Sequence, residues 1–142
     1  MSRVRRKYYI RSALYRKNMK KIYHLSSCST CQRILGETQA EKKGFVLQDI
    51  KTEKITPAQL DELKEKAGSY EALFSRRAIK YKELGLKDKA LTEKDYRRLI
   101  LDDYTFLKRP VALVGRELFA GSEKKTVEGL KALINSPTTF LR

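Results

Sequence analysis

Apolar positions follow two different spacings along the chain, and each spacing predicts a different kind of element. A short apolar run at 21–25 predicts a strand, and the segment 28–41 after it has its apolar positions at helical spacing. A second apolar run at 45–50 predicts another strand. A strand, a helix and a strand in this order normally form a parallel pair of strands joined by a right-handed crossover.

The middle of the chain has the pattern of helices without strands. Thr56, Pro57 and Gln59 mark a helix start, because they fit an N-cap, a proline at the first helical position and the partner residue of a capping box. Gly68 then marks the end of that helix. The sequence predicts three further helices: at 70–74, at 78–84 before Gly85, and after the N-cap Thr92 with Asp95 at its third position.

The last third of the chain returns to strands. Apolar residues at 111–114, a tight turn and a returning strand at 117–120 predict a hairpin. Ser122 is the predicted cap of a final helix that ends before Pro137. The complete order, βαβ, a helical block and then ββα, predicts an α/β protein of thioredoxin-like fold. Its sheet is mixed, and an all-helical insertion occupies about 56–105.

Length and composition set the class of protein. The 142 residues fit one domain, and a hydrophobic content of 41% is ordinary for a folded globular protein. No stretch approaches the ~20 consecutive apolar residues that span a membrane. The basic N-terminus is not followed by the apolar block of a secretory signal, so we expect a cytoplasmic protein.

The N-terminal extension, residues 1–18, differs from the rest of the chain in charge. The net charge is +15, and the extension holds seven basic and no acidic residues, which leaves 25 basic and 17 acidic residues, or +8, after it. That remainder suits an anionic substrate or an acidic partner and does not favour direct nucleic-acid binding. The sequence from Met19 resembles a natural N-terminus, so the extension is interpreted as the product of an upstream start codon or as a poorly ordered tail. A basic binding arm and a targeting peptide are the alternatives.

The two cysteines, Cys28 and Cys31, lie directly after a predicted strand and open a predicted helix. Unpaired N–H groups and the positive end of the helix dipole stabilise a thiolate there, so we expect Cys28 to be the exposed nucleophile. Cys31 lies about one turn further on, within reach of a disulfide, and is the predicted resolving thiol. The alternative is a pair of unreactive cysteines. A zinc site is excluded, because it needs four ligands as a rule and His24 is the only histidine.

The same N–H groups predict a pocket for an oxyanion, toward which arginines should converge. Arg109 precedes Pro110 at the start of an apolar strand, and Arg77 lies at a helix boundary beside Arg76. Both are candidate anion ligands. For the Arg76–Arg77 pair taken alone, solvated surface charges are the alternative interpretation.

These motifs together resemble one known family. Cys28 follows His24-Leu-Ser-Ser, and Ser75-Arg-Arg77 and Leu107-Lys-Arg109-Pro110 follow in the order and spacing of the arsenate reductase (ArsC) family, which includes the Spx regulators. The segment Tyr81-Lys-Glu-Leu-Gly after the two arginines adds to the match. The resemblance covers residues 19–136.

The resemblance implies a role for each matching residue. Cys28 would attack arsenate to give a thiol-bound arsenic ester, and Arg77 and Arg109 would hold the oxyanion. Pro110 would be the cis-proline beside the active cysteine, and His24 would modulate the ionisation of Cys28. Glutathione with glutaredoxin, or thioredoxin, would be the reductant, and no bound cofactor or metal is implied.

Two departures from the family pattern leave a second function open. The third arginine of the family would lie after the last strand, where this chain has Phe119-Ala-Gly-Ser122, and Cys31 stands where glutaredoxin-dependent reductases usually have no cysteine. Both features resemble the Spx branch, in which the cysteine pair is a redox switch and the partner is RNA polymerase. The hypotheses are therefore a reductase for arsenate or for another small oxyanion or thiol substrate, a redox-sensing regulator, and a family member with residual thiol exchange only.

Overall fold

The computed structural model describes residues 19–135. Four strands are present in this range: β1 Lys20–His24, β2 Val46–Asp49, β3 Val111–Val114 and β4 Glu117–Ala120. The same range contains five α-helices: α1 Ser29–Thr38, α2 Pro57–Ala67, α3 Ile79–Glu83, α4 Glu93–Asp102 and α5 Lys124–Ile134. Short 3-10 helices cover Glu71–Leu73, Leu86–Asp88 and Tyr104–Phe106.

The four strands form one mixed sheet in the order β2-β1-β3-β4. The central strand β1 runs parallel to β2 and antiparallel to β3, so that Ile22 lies between Leu47 and Ala112. β3 pairs antiparallel with β4 through the hairpin. The predicted α/β class, with a βαβ unit, helices and a ββα unit, is confirmed.

Alternation along the strands divides the apolar side chains between two cores. Ile22, Ala112 and Val114 face one side of the sheet, where buried residues of α1 and α5 cover them. Tyr23 and Leu113 face the other side, where the helical segment between β2 and β3 covers them. The insertion therefore forms one whole layer of the molecule.

The predicted helix starts at Thr56 and Thr92 are confirmed in detail. Each threonine side chain accepts a hydrogen bond from the backbone N–H three residues on. In return, the side chains of Gln59 and Asp95 accept a hydrogen bond from the backbone N–H of Thr56 and Thr92. Gly68 ends α2 in the left-handed conformation, at φ 93°.

Three predicted boundaries are wrong. α1 ends at Thr38 and not at 41, because Gln39 takes a left-handed conformation at φ 52° that stops the helix. The predicted helix at 70–74 is a single 3-10 turn, because the chain is already extended at Phe74, which pairs with Leu107. The cap of α5 is Glu123, without a side-chain bond, and not Ser122.

The interpretations of residues 1–18 and the stop signal at Pro137 lie outside the described residues. No helix in the described range is long and apolar enough to cross a membrane.

Backbone hydrogen bonds tie the segment after α2 to the segment before β3. The Ser75 N–H donates to Phe106 O at 2.7 Å, and the Lys108 N–H donates to Leu73 O at 2.8 Å. Phe74 and Leu107 form an isolated antiparallel bridge between the same two segments. Two stretches about 30 residues apart in sequence are thereby fixed side by side.

Candidate active site

Cys28 is the N-cap residue of α1 and lies at the end of the loop that follows β1. Its backbone is extended, at φ −89° and ψ 112°, and its N–H donates to Leu25 O at 3.0 Å. The chain therefore turns from strand into helix at this residue. The backbone N–H groups of Thr30 and Cys31, which the helix start leaves without a carbonyl partner, lower the pKa of the half-buried Cys28 thiol, although the sulfur makes no cap hydrogen bond to the helix.

The environment of Cys28 favours its thiolate. Burial raises the pKa of the thiol, but interactions with the backbone and side chain of Cys31, with the Thr30 N–H and with the charge of Arg109 together outweigh it. The net pKa of Cys28 lies below the ordinary value of a cysteine. A lowered thiol pKa at a helix start is the condition for a nucleophile at neutral pH.

Cys31 has the opposite properties. Its side chain is fully buried, and burial raises the pKa of the thiol to about 12, with further increases from the Cys28 sulfur. Both cysteines are free thiols in the structure. The Cys31 thiol interacts with the Cys28 sulfur, so the two sulfurs are neighbours.

The Cys28 sulfur borders a cavity of about 510 Å³. Its walls come from four parts of the chain that lie far apart in sequence: the start of α1, the turn before α3, the segment before β3 and the loop after β4. The lining residues are Cys28, Thr30, Phe74, Ser75, Arg76, Arg77, Lys108, Arg109, Ala120, Gly121, Ser122, Glu123 and Thr126.

Three arginines line this cavity, and they differ in what already binds them. Arg76 donates to the Glu71 carboxylate at 3.2 Å and to the Tyr96 hydroxyl at 3.2 Å. The Arg77 side chain has no hydrogen-bond or ion-pair partner within residues 19–135. The Nη1 atom of Arg109 is buried and likewise has no partner in that range. Arg77 and Arg109 are therefore the two lining arginines that no carboxylate of residues 19–135 engages, whereas Arg76 is paired with Glu71.

Lys108 is a lining residue that the sequence analysis missed. It precedes Arg109 in the same motif, and that adjacency is the signal that could have identified it. Its stem crosses Gly121, where an added Cβ would lie 3.7 Å from the Lys108 Cδ. The lysine thus extends over the segment in which the sequence lacks the third arginine.

The loop after β4 brings no arginine to the cavity. Gly121, Ser122 and the Glu123 carboxylate line this side instead. Gly121 has φ 98° and its N–H donates to Pro110 O at 2.8 Å, which holds the loop against the start of β3. The Arg109–Pro110 peptide bond is cis, and Pro110 is buried.

Of the predicted site residues, the buried Cys31 and Pro110 do not line the cavity, and neither does His24. It is 9% exposed at the end of β1, and its Nδ1 lies 3.5 Å from the Gln32 side-chain nitrogen. The structure therefore places it beside α1 and outside the cavity that Arg77 and Arg109 line. Within residues 19–135, no group of three metal-ligating side chains is present.

A model of the ArsC family matches residues 23–130 of the chain. The arsenate reductase from Vibrio cholerae is 19% identical, with a TM-score of 0.65 over 79% of this chain and 98% of that one. A protein from Bacteroides fragilis described as ArsC family related is 22% identical, with a TM-score of 0.67 over 80% and 98%.

An arsenate reductase (ArsC) related protein from Brucella melitensis is 20% identical, with a TM-score of 0.61 over 78% of this chain and 92% of that one. At these identities the solved structures show a shared fold, which is the predicted thioredoxin-like one. No curated protein sequence matches the chain.

Proposed function

The chain belongs to the ArsC family and is at that level a thiol oxidoreductase; from this premise we propose that it reduces a small oxyanion of the arsenate type through Cys28. One observation carries the proposal. The sulfur whose pKa is lowered opens into a cavity in which Arg77 and Arg109 have guanidinium donors without a protein partner. A tetrahedral anion would receive charge-assisted hydrogen bonds from both.

The first step is attack of the Cys28 thiolate on arsenic(V). A sulfur–arsenic bond forms, and one arsenate oxygen leaves as water after it takes up two protons. No oxidation state changes in this step. Arg77, Arg109 and the ammonium of Lys108 offset the negative charge of the bound anion, which otherwise repels the thiolate.

The second step reduces arsenic. The Cys31 sulfur attacks the Cys28 sulfur, the sulfur–arsenic bond breaks, and its electron pair stays on arsenic, which leaves as arsenite. The Cys31 proton goes to the departing oxyanion. The two thiols have lost two electrons and form the Cys28–Cys31 disulfide. The interaction between the two sulfurs supports this role for Cys31.

An external thiol must restore the two cysteines. Glutathione with glutaredoxin, or thioredoxin, would supply the two electrons, which implies a cytoplasmic setting. The raised pKa of Cys31 keeps this thiol protonated and inert until the neighbouring sulfur carries an adduct.

A second candidate function is a redox-sensing regulator that binds RNA polymerase. The observation that favours it is the Glu123 carboxylate, which lines the cavity where the family has a third arginine. A carboxylate weakens anion binding, and the Cys28–Cys31 pair would then act as a switch without substrate turnover.

An arsenate-reduction assay tests the proposal. Arsenate-dependent oxidation of NADPH is measured with coupled glutathione and glutaredoxin, and separately with coupled thioredoxin. We expect turnover with one of the two systems, none in Cys28→Ser, and normal turnover in the control Ser29→Ala, whose exposed side chain does not line the cavity. No arsenate-dependent oxidation with either system would reject the enzyme. State-dependent capture of polymerase would then favour the regulator.

A further inference from the structure

A second cavity, of about 400 Å³, lies beside the active-site cavity. It is formed by Arg76, Arg77, Ala78, Ile79, Tyr81, Lys82 and Glu83. Arg76 and Arg77 line both cavities, so the two cavities adjoin at these residues, which form their shared rim. A macromolecule that approaches the Cys28 sulfur from this side must contact the residues of α3.

The rim exposes apolar side chains that are otherwise rare on the described surface. Ile79 lines the second cavity and is 76% exposed; Leu84, which follows α3 and lines neither cavity, is 49% exposed. Within residues 19–135, the other exposed large hydrophobic residue is Val46, on the edge strand β2. Exposed apolar residues that cluster beside a functional cavity are typical of an interaction site.

The segment around α3, which carries these exposed side chains, is anchored to the core. Ala78 and Leu86 on either side of α3 are buried, and Tyr81 packs edge-on against Phe74 with ring centroids 6.0 Å apart. Lys80 forms an ion pair with Asp103 at 2.8 Å. The apolar side chains are therefore presented by a segment that the core fixes in place.

The charge around the apolar residues predicts the kind of partner. Residues 76–89 contain six basic residues, Arg76, Arg77, Lys80, Lys82, Lys87 and Lys89, and two acidic ones, Glu83 and Asp88. Arg76 and Lys80 are paired with carboxylates. The other four basic side chains have no ion-pair partner within the described residues. Such a rim attracts a partner with carboxylates around an apolar contact.

We propose that the α3 face, defined as Arg77, Ile79 and Lys82, which line the second cavity, is the docking site for the protein dithiol that reduces the oxidised Cys28–Cys31 pair. The inference rests on the proposed function. A protein donor must bring its own sulfur to about 2 Å from the Cys28 sulfur. It must therefore sit on the cavity rim, and the α3 face supplies the apolar and cationic contacts there.

The transfer conserves electrons. A thiolate of the donor attacks the Cys28 sulfur, the Cys28–Cys31 bond breaks, and the Cys31 sulfur leaves with its electron pair and takes up a proton. The second thiol of the donor then attacks the mixed disulfide and releases the Cys28 thiolate. The donor ends as a disulfide and the chain gains two electrons.

The test measures reduction of the preformed disulfide, so it does not depend on arsenate. The full chain is oxidised with diamide, and its reduction is followed with reduced glutaredoxin, with reduced thioredoxin and with dithiothreitol. We expect Ile79→Ser to raise the KM for one of the two proteins about tenfold or more, with the dithiothreitol rate unchanged. Val46→Ser is the matched control, because it removes an exposed apolar side chain on the edge strand β2, which lines neither cavity.

Charge reversal supplies a second readout. Lys82→Glu should weaken the same donor further at low salt, and added salt should reduce the difference between this variant and the original chain. An unchanged KM in Ile79→Ser for both proteins, or an equal rise in Val46→Ser, would overturn the docking site. A concentration-dependent dimer that Ile79→Ser dissolves would also overturn it, because a second copy would then occupy the face. Failure of arsenate turnover in the earlier assay, with these differences intact, would reject the substrate and keep the docking site.

Discussion

The Cys31 thiol lies beside the Cys28 sulfur, and their interaction lowers the pKa of Cys28 and raises that of Cys31. This interaction stabilises the Cys28 thiolate, which also faces the charge of Arg109. Burial raises the pKa of Cys31, and the neighbouring Cys28 sulfur raises it further, so Cys31 keeps its proton. Two residues three positions apart thus become a nucleophile and a protonated reserve thiol.

Removal of the Cys31 thiol should raise the pKa of Cys28. In Cys31→Ala the thiolate loses one hydrogen-bond donor while its backbone donors remain, so the rate of iodoacetamide alkylation should reach half its plateau at a higher pH than in the original chain. Cys31→Ser is the control that keeps a hydroxyl donor, and it should shift the profile less. An unchanged profile in Cys31→Ala would contradict the proposed contact.

The two thiols should titrate far apart. Because the pKa of Cys28 is lowered and that of Cys31 is raised to about 12, one thiol should react with iodoacetamide below the pH at which ordinary cysteines do. The second should react only toward pH 12. In Cys28→Ser, mass spectrometry should find almost no alkylation of Cys31 at neutral pH. Rapid labelling there would show that Cys31 is more accessible than the structure has it.

Arg77 and Arg109 should matter more for anion binding than Arg76. A charge-assisted hydrogen bond contributes about 1.5–3 kcal/mol, so Arg109→Gln or Arg77→Gln should weaken arsenate binding by about 10- to 100-fold. Arg76→Gln should have a smaller effect, because Glu71 and Tyr96 already bind its guanidinium. Arsenate protection of Cys28 from alkylation measures each affinity. Equal losses in all three variants would contradict the assignment.

Lys108 should contribute a third positive charge to the same cavity. Lys108→Gln keeps the stem over Gly121 and removes the ammonium, so arsenate should bind about tenfold more weakly, with the fold unchanged. Arsenate protection of Cys28 is the measurement, and Lys124→Gln, at the exposed start of α5, is the control. If the two variants bind arsenate equally well, Lys108 does not contact the anion.

A substitution outside the candidate active site should change the stability of the fold without changing the reactivity of Cys28. Thr56→Ala removes the side-chain half of the capping box of α2 and should lower the free energy of unfolding by about 1 kcal/mol. Thr52→Ala, which loses only a 3.4 Å hydrogen bond on the surface, should change it little. Denaturant unfolding measures both, and equal values would mean that the cap is not a source of stability. Neither threonine lines the cavity, so the alkylation profile of Cys28 should stay as it is.

The sequence by itself determined the features that depend on near neighbours. The strands, the capped starts of α2 and α4, and the position of Cys28 at a helix start follow from residues within about four positions of each other, because helix caps and strand alternation are local. The same locality explains the errors. The 3-10 turn at Glu71–Leu73 stops where Phe74 pairs with Leu107, which is distant in the sequence.

Only the tertiary structure decided which cations face the Cys28 sulfur. The hydrogen bond from Ser75 to Phe106 joins two segments that the sequence separates, and it brings Arg77, Lys108 and Arg109 to one cavity. Arg76 is next to Arg77 in the chain, but its guanidinium is already hydrogen-bonded to Glu71 and Tyr96. The family resemblance already favoured Arg77 over Arg76, but the physical difference between the two arginines lies in the partners that packing supplies to Arg76.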